Sequence, residues 1–235
     1  MNEIVDGLDV SYCQNPTAFN WERAAETRRF CVCRSTYGTQ LDKQLVRHAA
    51  EVRRVAMTLG CYHFWTEHHE QQERQLRAFF SAAKLVRLGA GDLLPAVDIE
   101  DHGLRKDRPP KYPVSPDWAP RLHAFVTALI VEFGGAIIYI SPNDWIRIGK
   151  PAWLLELPIW LADWTPPADT PGGKPWAIWQ HKVAPLPGIY DAPIDQDRAR
   201  LPLPTIGDDS WLNERAEQQI ATTLQQTYEE TREKP

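Results

Sequence analysis

The chain has no basic excess. Its 235 residues carry 26 Lys and Arg against 31 Asp and Glu, a formal charge of −5. A nucleic-acid partner needs clustered cations to displace phosphate counterions, and a polybasic membrane anchor needs them to meet anionic lipid, so both classes are disfavoured. No apolar run approaches the ~18 residues required to cross a bilayer, so no membrane span is expected. The opening residues, Met1 to Asp6, carry neither the basic nor the apolar region of a secretory leader. The expectation is a chain synthesised in the cytoplasm and, if it acts elsewhere, moved by other means. Cysteines number four, Cys13, Cys31, Cys33 and Cys61, with no C-x-x-C pair and no His at zinc-finger distance. They read as reduced thiols, Cys31 and Cys33 sharing a strand face, and no metal or cofactor is expected. A Gly-rich phosphate loop and the G-x-S-x-G elbow of serine hydrolases are both absent. There is no internal repeat and no low-complexity tract.

What is present fits one large domain. Hydrophobic residues make up 43%, enough to bury a sizeable core. Ten tryptophans suit either a large core or a groove that stacks on flat ligands such as sugars. Short apolar runs alternate with helical periodicity. Strands are predicted at Gly7–Ser11, Phe30–Ser35, Cys61–Trp65, Leu94–Glu100, Ala136–Ile140, Pro158–Asp163, Trp176–Gln180 and Ile194–Gln196. Helices are predicted over Leu41–Leu59, ended by Gly60, over Glu70–Leu88 and over Ala119–Phe133. Strand–helix alternation implies parallel strands with crossover helices. Eight strands in about 200 residues suggest a closed α/β barrel of the (β/α) type with several helices missing, its chemistry at the C-terminal ends of strands.

Twenty prolines, above the roughly one in twenty of average composition, gather in loops. Two proline-rich loops, 101–117 and 165–175, follow strand ends where such a barrel places substrate. Beyond residue 205 the composition turns polar. Leu212, Ala216, Ile220, Leu224 and Tyr228 recur every four residues, which reads as a C-terminal helical tail over 206–235 appended to a barrel over 1–205. That helix either packs on the barrel or docks a delivery partner.

The sharpest chemical signal is Asp98-Ile99-Glu100. Residues two apart on a strand point the same way, so both carboxyls project from one strand end. Carboxylates that close repel, one pKa rises, and that group can stay protonated near neutrality. Glycoside hydrolysis uses such a pair, one carboxyl donating a proton to the leaving oxygen and the other meeting positive charge on the sugar. A solvated acidic cluster or a divalent-metal site would carry the same short pattern. Asp9 stands in an apolar strand frame, costly unless hydrogen-bonded or functional. Asp195 sits similarly in Pro193-Ile194-Asp195-Gln196. His63, inside an apolar strand, reads as a satisfied core histidine. His68 and His69 read as a solvated helix start.

These motifs together resemble glycoside hydrolase family 25, the Chalaropsis-type lysozymes. The resemblance runs through Gly7-Leu8-Asp9-Val10-Ser11, Gly60-Cys61-Tyr62-His63-Phe64, Leu94-Pro95-Ala96-Val97-Asp98-Ile99-Glu100, Ile138-Tyr139, Ile159-Trp160-Leu161-Ala162, Trp179-Gln180, and Pro187-Gly188-Ile189 followed by Asp195. It implies a TIM-like barrel with fewer than eight helices. It also implies hydrolysis of the β-1,4 bond from N-acetylmuramic acid to N-acetylglucosamine in the glycan strands of peptidoglycan. On matching positions Glu100 resembles the general acid. Asp98 resembles the group that orients the 2-acetamido substituent or supports charge at the anomeric carbon, and Asp9 and Asp195 resemble supporting carboxylates. Tyr62, Tyr139 and Trp160 would line the sugar groove, with Arg34, Trp179 and Gln180 as further substrate contacts. Covalent and substrate-assisted routes both stay open.

The chain departs from the family pattern in places. Where the family often has K-x-[ST]-E-G, it reads Arg34-Ser35-Thr36-Tyr37-Gly38, keeping a cation and replacing the acid by Tyr37. The usual H-x-Q is Tyr12-Cys13-Gln14, and the closing D-x-N is Asp195-Gln196-Asp197. Two further readings are a non-catalytic glycan-binding module on the same barrel and a related acetamido-sugar hydrolase such as a chitinase. Retention of all four acids weighs against the first, and absence of a D-G-x-D-x-D-x-E run against the second. Action on the cell wall would follow holin release or specialised secretion.

Overall fold

The structure, a computed structural model, describes residues 3–66, 72–100, 118–165 and 170–208. Eight strands close into a barrel: β1 (Ile4–Val10), β2 (Phe30–Tyr37), β4 (Thr58–Phe64), β5 (Ala96–Ile99), β6 (Ile137–Ile140), β7 (Ile159–Ala162), β8 (Ile178–Leu186) and β9 (Tyr190–Arg200). A two-residue strand, β3 (Gln40–Leu41), folds back on the end of β2 outside the ring. Pairing runs in chain order from β1 round to β9, and β9 returns to β1 to close the ring. Five α-helices are present among the described residues: α1 (Trp21–Thr27), α2 (Leu45–Arg54), α3 (Gln72–Leu85), α4 (Trp118–Phe133) and α5 (Pro142–Arg147).

The expected barrel is therefore present in a distorted form. The first seven ring strands are parallel, but β9 runs antiparallel to both β8 and β1. Its eleven residues form a hairpin with β8, in place of the short eighth strand predicted at 194–196. Hairpin strands need no crossover helix, which is why helices thin out after Ile140. The predicted strand at Trp176–Gln180 likewise lies later, at Ile178–Leu186.

One helix boundary is corrected. Gly60 does not end the first predicted helix. The helix stops at Arg54, and Ala56 takes the left-handed turn at φ 57°, with Met57 N–H bonded to Val52 O at 3.1 Å. Gly60 sits inside β4, where an added Cβ would stand 3.0 Å from Leu93 and 3.1 Å from Val32. Leu59, placed on the helix by its spacing, belongs to the same strand. The apolar run simply changes period without a polar break. The sequence pattern also passed over α1 and α5, whose six or seven residues carry too few apolar positions to show a period.

Alternation along each strand divides the apolar residues into two layers. Leu8, Cys31, Cys33, Cys61, Val97, Ile99, Ile138 and Leu161 face outward and pack with the helices. Leu122, Phe125, Val126, Leu129 and Ile130 of α4 are buried in that layer, and Phe133 packs against it half-buried. His63 is satisfied there, between Thr36 Oγ1 at 2.6 Å and Gln75 Oε1 at 3.2 Å and stacked on Phe125. Burial pushes its pKa down to about 3, so it is neutral. All four cysteines are free, three buried and Cys13 exposed.

Phe30, Val32, Leu93, Leu94, Ile137 and Ile178 face inward and fill the lower barrel. Gly7 belongs to this layer because a Cβ there would fall 2.2 Å from the Phe30 ring. Residues 201–208 cross beneath the barrel, where Leu94 N–H bonds to Pro204 O and Ile206 N–H to Asp92 O. The predicted tail helix beyond residue 208, the loop 101–117 and the His68-His69 pair lie outside the described residues. Among the described residues no helix is long and apolar enough to cross a membrane.

Because Phe30 is fully buried, it cannot swing clear of a new methyl group. Gly7→Ala is expected to lower stability by about 1–3 kcal/mol through overpacking. Urea denaturation checks this, and an unchanged midpoint would contradict the inward packing of Phe30.

Candidate active site

The lower barrel is apolar, but the upper layer of inward side chains is acidic and aromatic. Asp9 follows Gly7 on the inner face of β1, and Asp98 follows Ala96 on that of β5. Glu100 stands just past the end of β5 in the same alternation. Asp195 lies opposite Asp9 in the antiparallel register of β9 and β1. With Tyr62, Tyr139, Trp160, Trp164 and Gln180 they line a cavity of about 190 Å³ at the barrel mouth.

The aromatic and amide groups form a connected frame. Tyr139 Oη donates to Gln180 Oε1 at 3.0 Å, and Gln180 Nε2 donates to Asp9 Oδ2 at 3.0 Å. Trp160 packs edge-on against Tyr139 and Tyr62, with centroids 4.9 and 6.1 Å away. Its indole Nε1 donates to Asp197 Oδ1 at 2.9 Å. These contacts fix the floor of the cavity before any ligand arrives.

The carboxyls differ in their access to water. Asp9 and Asp98 are 5% and 4% exposed, and burial drives both pKa values well above the ordinary carboxylate range. Neighbouring negative charge adds to this, from Asp195 and Asp197 on Asp9 and from Glu100 on Asp98. Glu100 keeps an exposed surface, yet the cavity walls desolvate it and the charges of Asp144 and Asp195 raise it further, to about 7. Asp98 and Glu100 act on each other from adjacent inward positions, and Asp98 Oδ1 has no donor among the described residues. Two carboxyls so close in a poorly hydrated site are not both ionised near neutrality.

Arg34 is the cation acting on this pair, and it also lowers Tyr62. Its Nε donates to the buried Asp42 at 2.9 Å, and its guanidinium lies over the rings of Tyr12 and Tyr37. A bulge at Ser35 reverses the alternation of β2. Tyr37, rather than Thr36, therefore shares the mouth side with Arg34 and stacks on Phe64 at 4.7 Å. The position where the family pattern has an acid thus carries an aromatic beside a cation.

Of the ten residues singled out by sequence, Asp9, Asp98, Glu100, Asp195, Tyr62, Tyr139, Trp160 and Gln180 meet in one cavity, and Arg34 stands at its edge. Trp179 departs from expectation. It alternates with Gln180 on β8, packs on the outer apolar layer beside Trp176, and donates from Nε1 to Asp163 O at 2.6 Å. Three residues were missed. Asp197 repeats on β9 the two-residue spacing already noted for Asp98 and Glu100, so the same argument could have found it. Trp164, 69% exposed after β7, and Asp144 in the first turn of α5 carried no local signal. Among the described residues no three acidic, histidine or cysteine side chains are placed to share a metal ion.

Comparison with known families decides the lineage of this barrel. The sequence model of glycosyl hydrolases family 25 matches residues 8–188. The chain belongs to glycosyl hydrolases family 25. Solved structures of the same architecture include a family 25 glycosyl hydrolase from Bacillus anthracis, at 21% identity and TM-score 0.68, with 93% of each chain covered. A muramidase from Acremonium alcalophilum matches at 21% identity and TM-score 0.67, over 94% of this chain and 99% of that one. A bacterial lysozyme from Streptomyces coelicolor matches at 20% identity and TM-score 0.68, over 94% of this chain and 97% of that one. At such identities the likeness is one of fold. The comparison with curated proteins returns no match.

The two neighbouring tryptophans of this family 25 chain separate binding from packing. Trp164→Ala is expected to weaken glycan binding by roughly 0.5–1.5 kcal/mol, a few-fold in Kd, with the melting temperature unchanged. Trp179→Ala is expected to lower the melting temperature and leave Kd in place. Calorimetric titration with a soluble glycan oligomer, beside thermal melts, checks both.

Proposed function

We propose that this chain is a muramidase that hydrolyses the β-1,4 bond between N-acetylmuramic acid and N-acetylglucosamine in peptidoglycan. The observation that carries the reading is the placement of Asp98 and Glu100 together at the barrel mouth, one buried and one open to solvent. Glu100 is the partner open to solvent and to a glycan lying across the mouth, so it is the general acid. Family membership supplies the reaction class, and the muramidase and lysozyme names borne by structural relatives support the choice of substrate.

In the proposed step Glu100 passes its proton to the glycosidic oxygen as the bond to the anomeric carbon breaks. The leaving sugar departs as a neutral alcohol, and water then adds to the anomeric carbon, its proton returning to Glu100. The Asp98–Glu100 pair gains a negative charge as the sugar gains a positive one, and Asp98, held beneath, meets that charge through the walls of a poorly hydrated site. Asp9 and Asp195 line the floor and hold further negative potential there. Tyr62, Tyr139 and Trp160 offer flat apolar faces to the sugar rings, and Gln180 fixes Asp9 and Tyr139 in register.

Peptidoglycan digests, reduced with borohydride and read by mass spectrometry, test this. Muramitol ends are expected from the wild type. Glu100→Gln should fold normally and lose at least about a hundredfold in turnover, because an amide cannot donate the proton. A folded wild-type protein that makes no new reducing ends would move the reading to a glycan-binding module.

The pH profile gives a second check. Glu100 must be protonated to act, and its pKa lies near 7, so kcat/KM is expected to fall as pH rises through about 7. An activity that kept rising beyond pH 8 would assign the acid elsewhere.

A further inference from the structure

Asp197 has no part in the step above, yet it is fully buried in the cavity floor. It lies two residues from Asp195 on β9 and so shares its inward face, opposite Gly7 of β1. Its Oδ1 takes the Trp160 indole N–H, while its Oδ2 is buried with no donor among the described residues. It is the diagonal neighbour of Asp9 in the β1–β9 register, on the same inward face, and the Oδ2 of Asp9 is occupied by Gln180. Two carboxyls buried side by side cannot both be charged, and they bond to each other only if one carries a proton.

We propose that Asp9 and Asp197 hold a single proton between them, and that Asp197 is a positioning residue which anchors Asp9 through it. The frame explains why the proton is kept. Asp195 on β9 adds negative charge to both groups. Trp160 on β7 and Gln180 on β8 each offer one neutral donor. Arg34 on β2, the cation that acts on Asp98, Glu100 and Tyr62, is not among the charges acting on Asp9 or Asp197. Tyr62 on β4 and Tyr139 on β6 feel the charge of Asp9 and are themselves pushed up, so both stay neutral. With no cation to neutralise the pair, a proton takes that place. Asp197 is accordingly raised to about 8 by burial, and Asp9 is raised with it.

The consequence is a hydrogen bond that alkali removes. While the proton is present, Asp9 is held on two sides, by Asp197 and by Gln180. Once it leaves, Asp9 and Asp197 repel and the floor loses its geometry. An amide at position 197 would donate the same bond with no proton to lose.

The test uses Asp197→Asn and, as a second route, Asp9→Asn, since either substitution removes the shared proton. In the folded protein the pair binds a proton that separate aspartates, with an ordinary pKa near 3.8, release in the unfolded chain. The folded state then binds more protons above about pH 4, so this contribution to stability is full below about 4 and is lost as pH rises through the raised pKa values of the pair. The wild-type melting temperature should therefore fall more steeply across that window than the variant's. The carbonyl stretch of a buried protonated carboxyl should be present at pH 7 in the infrared spectrum of the wild type and weaker by one group in either variant. For turnover, log kcat/KM at alkaline pH should fall more steeply in the wild type than in Asp197→Asn. Asp197→Ala, which cannot donate, should lower kcat at every pH. Equal melting slopes and an unchanged carbonyl band would overturn the proposal. Those two readouts need no substrate, so they stand even if peptidoglycan hydrolysis fails.

Discussion

Five carboxyl groups crowd the mouth of one barrel: Asp9, Asp98, Glu100, Asp195 and Asp197. Among the described residues Arg34 is the cation that acts on Asp98 and Glu100, and it is already engaged by Asp42. Like charges in a poorly hydrated cavity repel strongly, so this mouth cannot be fully ionised at neutral pH. It resolves the conflict by keeping protons among its carboxyls, one of them between Asp9 and Asp197. A protonated carboxyl open to solvent near neutrality is what acid-assisted bond cleavage requires. The site's chemistry is thus a consequence of its crowding.

The barrel makes that crowding possible. A closed ring needs every strand to alternate between inner and outer faces, and the inner faces stack in layers. Below, Phe30, Leu93, Leu94 and Ile137 fill the interior so fully that Gly7 and Gly60 have no room for a side chain. Above, the same alternation delivers acids from β1, β5 and β9 into one space. The antiparallel β9 matters because it brings Asp195 and Asp197 back past β1, setting Asp195 opposite Asp9. A parallel eighth strand in its place would have reversed their order from mouth to floor.

Much of this was legible in the chain itself. Asp98-Ile99-Glu100 announced a pair on one strand face, and Asp9 stood out as an acid in an apolar frame. His63 read correctly as a core residue. Errors arose where local pattern had no competing signal. Gly60 looked like a helix end because the apolar run passed from helix to strand without a polar break, and the turn at Ala56 used a residue with no turn signature. Trp179 looked like a groove residue beside Gln180, although neighbours on a strand face opposite ways. Asp197 carried the same two-residue spacing as the leading pair and was passed over as a variant of a motif.

The sequence by itself determined which residues share a strand face, because side chains alternate with a period of two wherever a strand forms. It also carried the family resemblance, and with it the reaction class. Tertiary structure alone decided which faces meet. Asp9 and Asp197 lie 188 positions apart, and only closure of the ring through an antiparallel strand makes them neighbours. Their protonation follows from that meeting, since the cost of a buried charge depends on what surrounds it and not on where it falls in the chain.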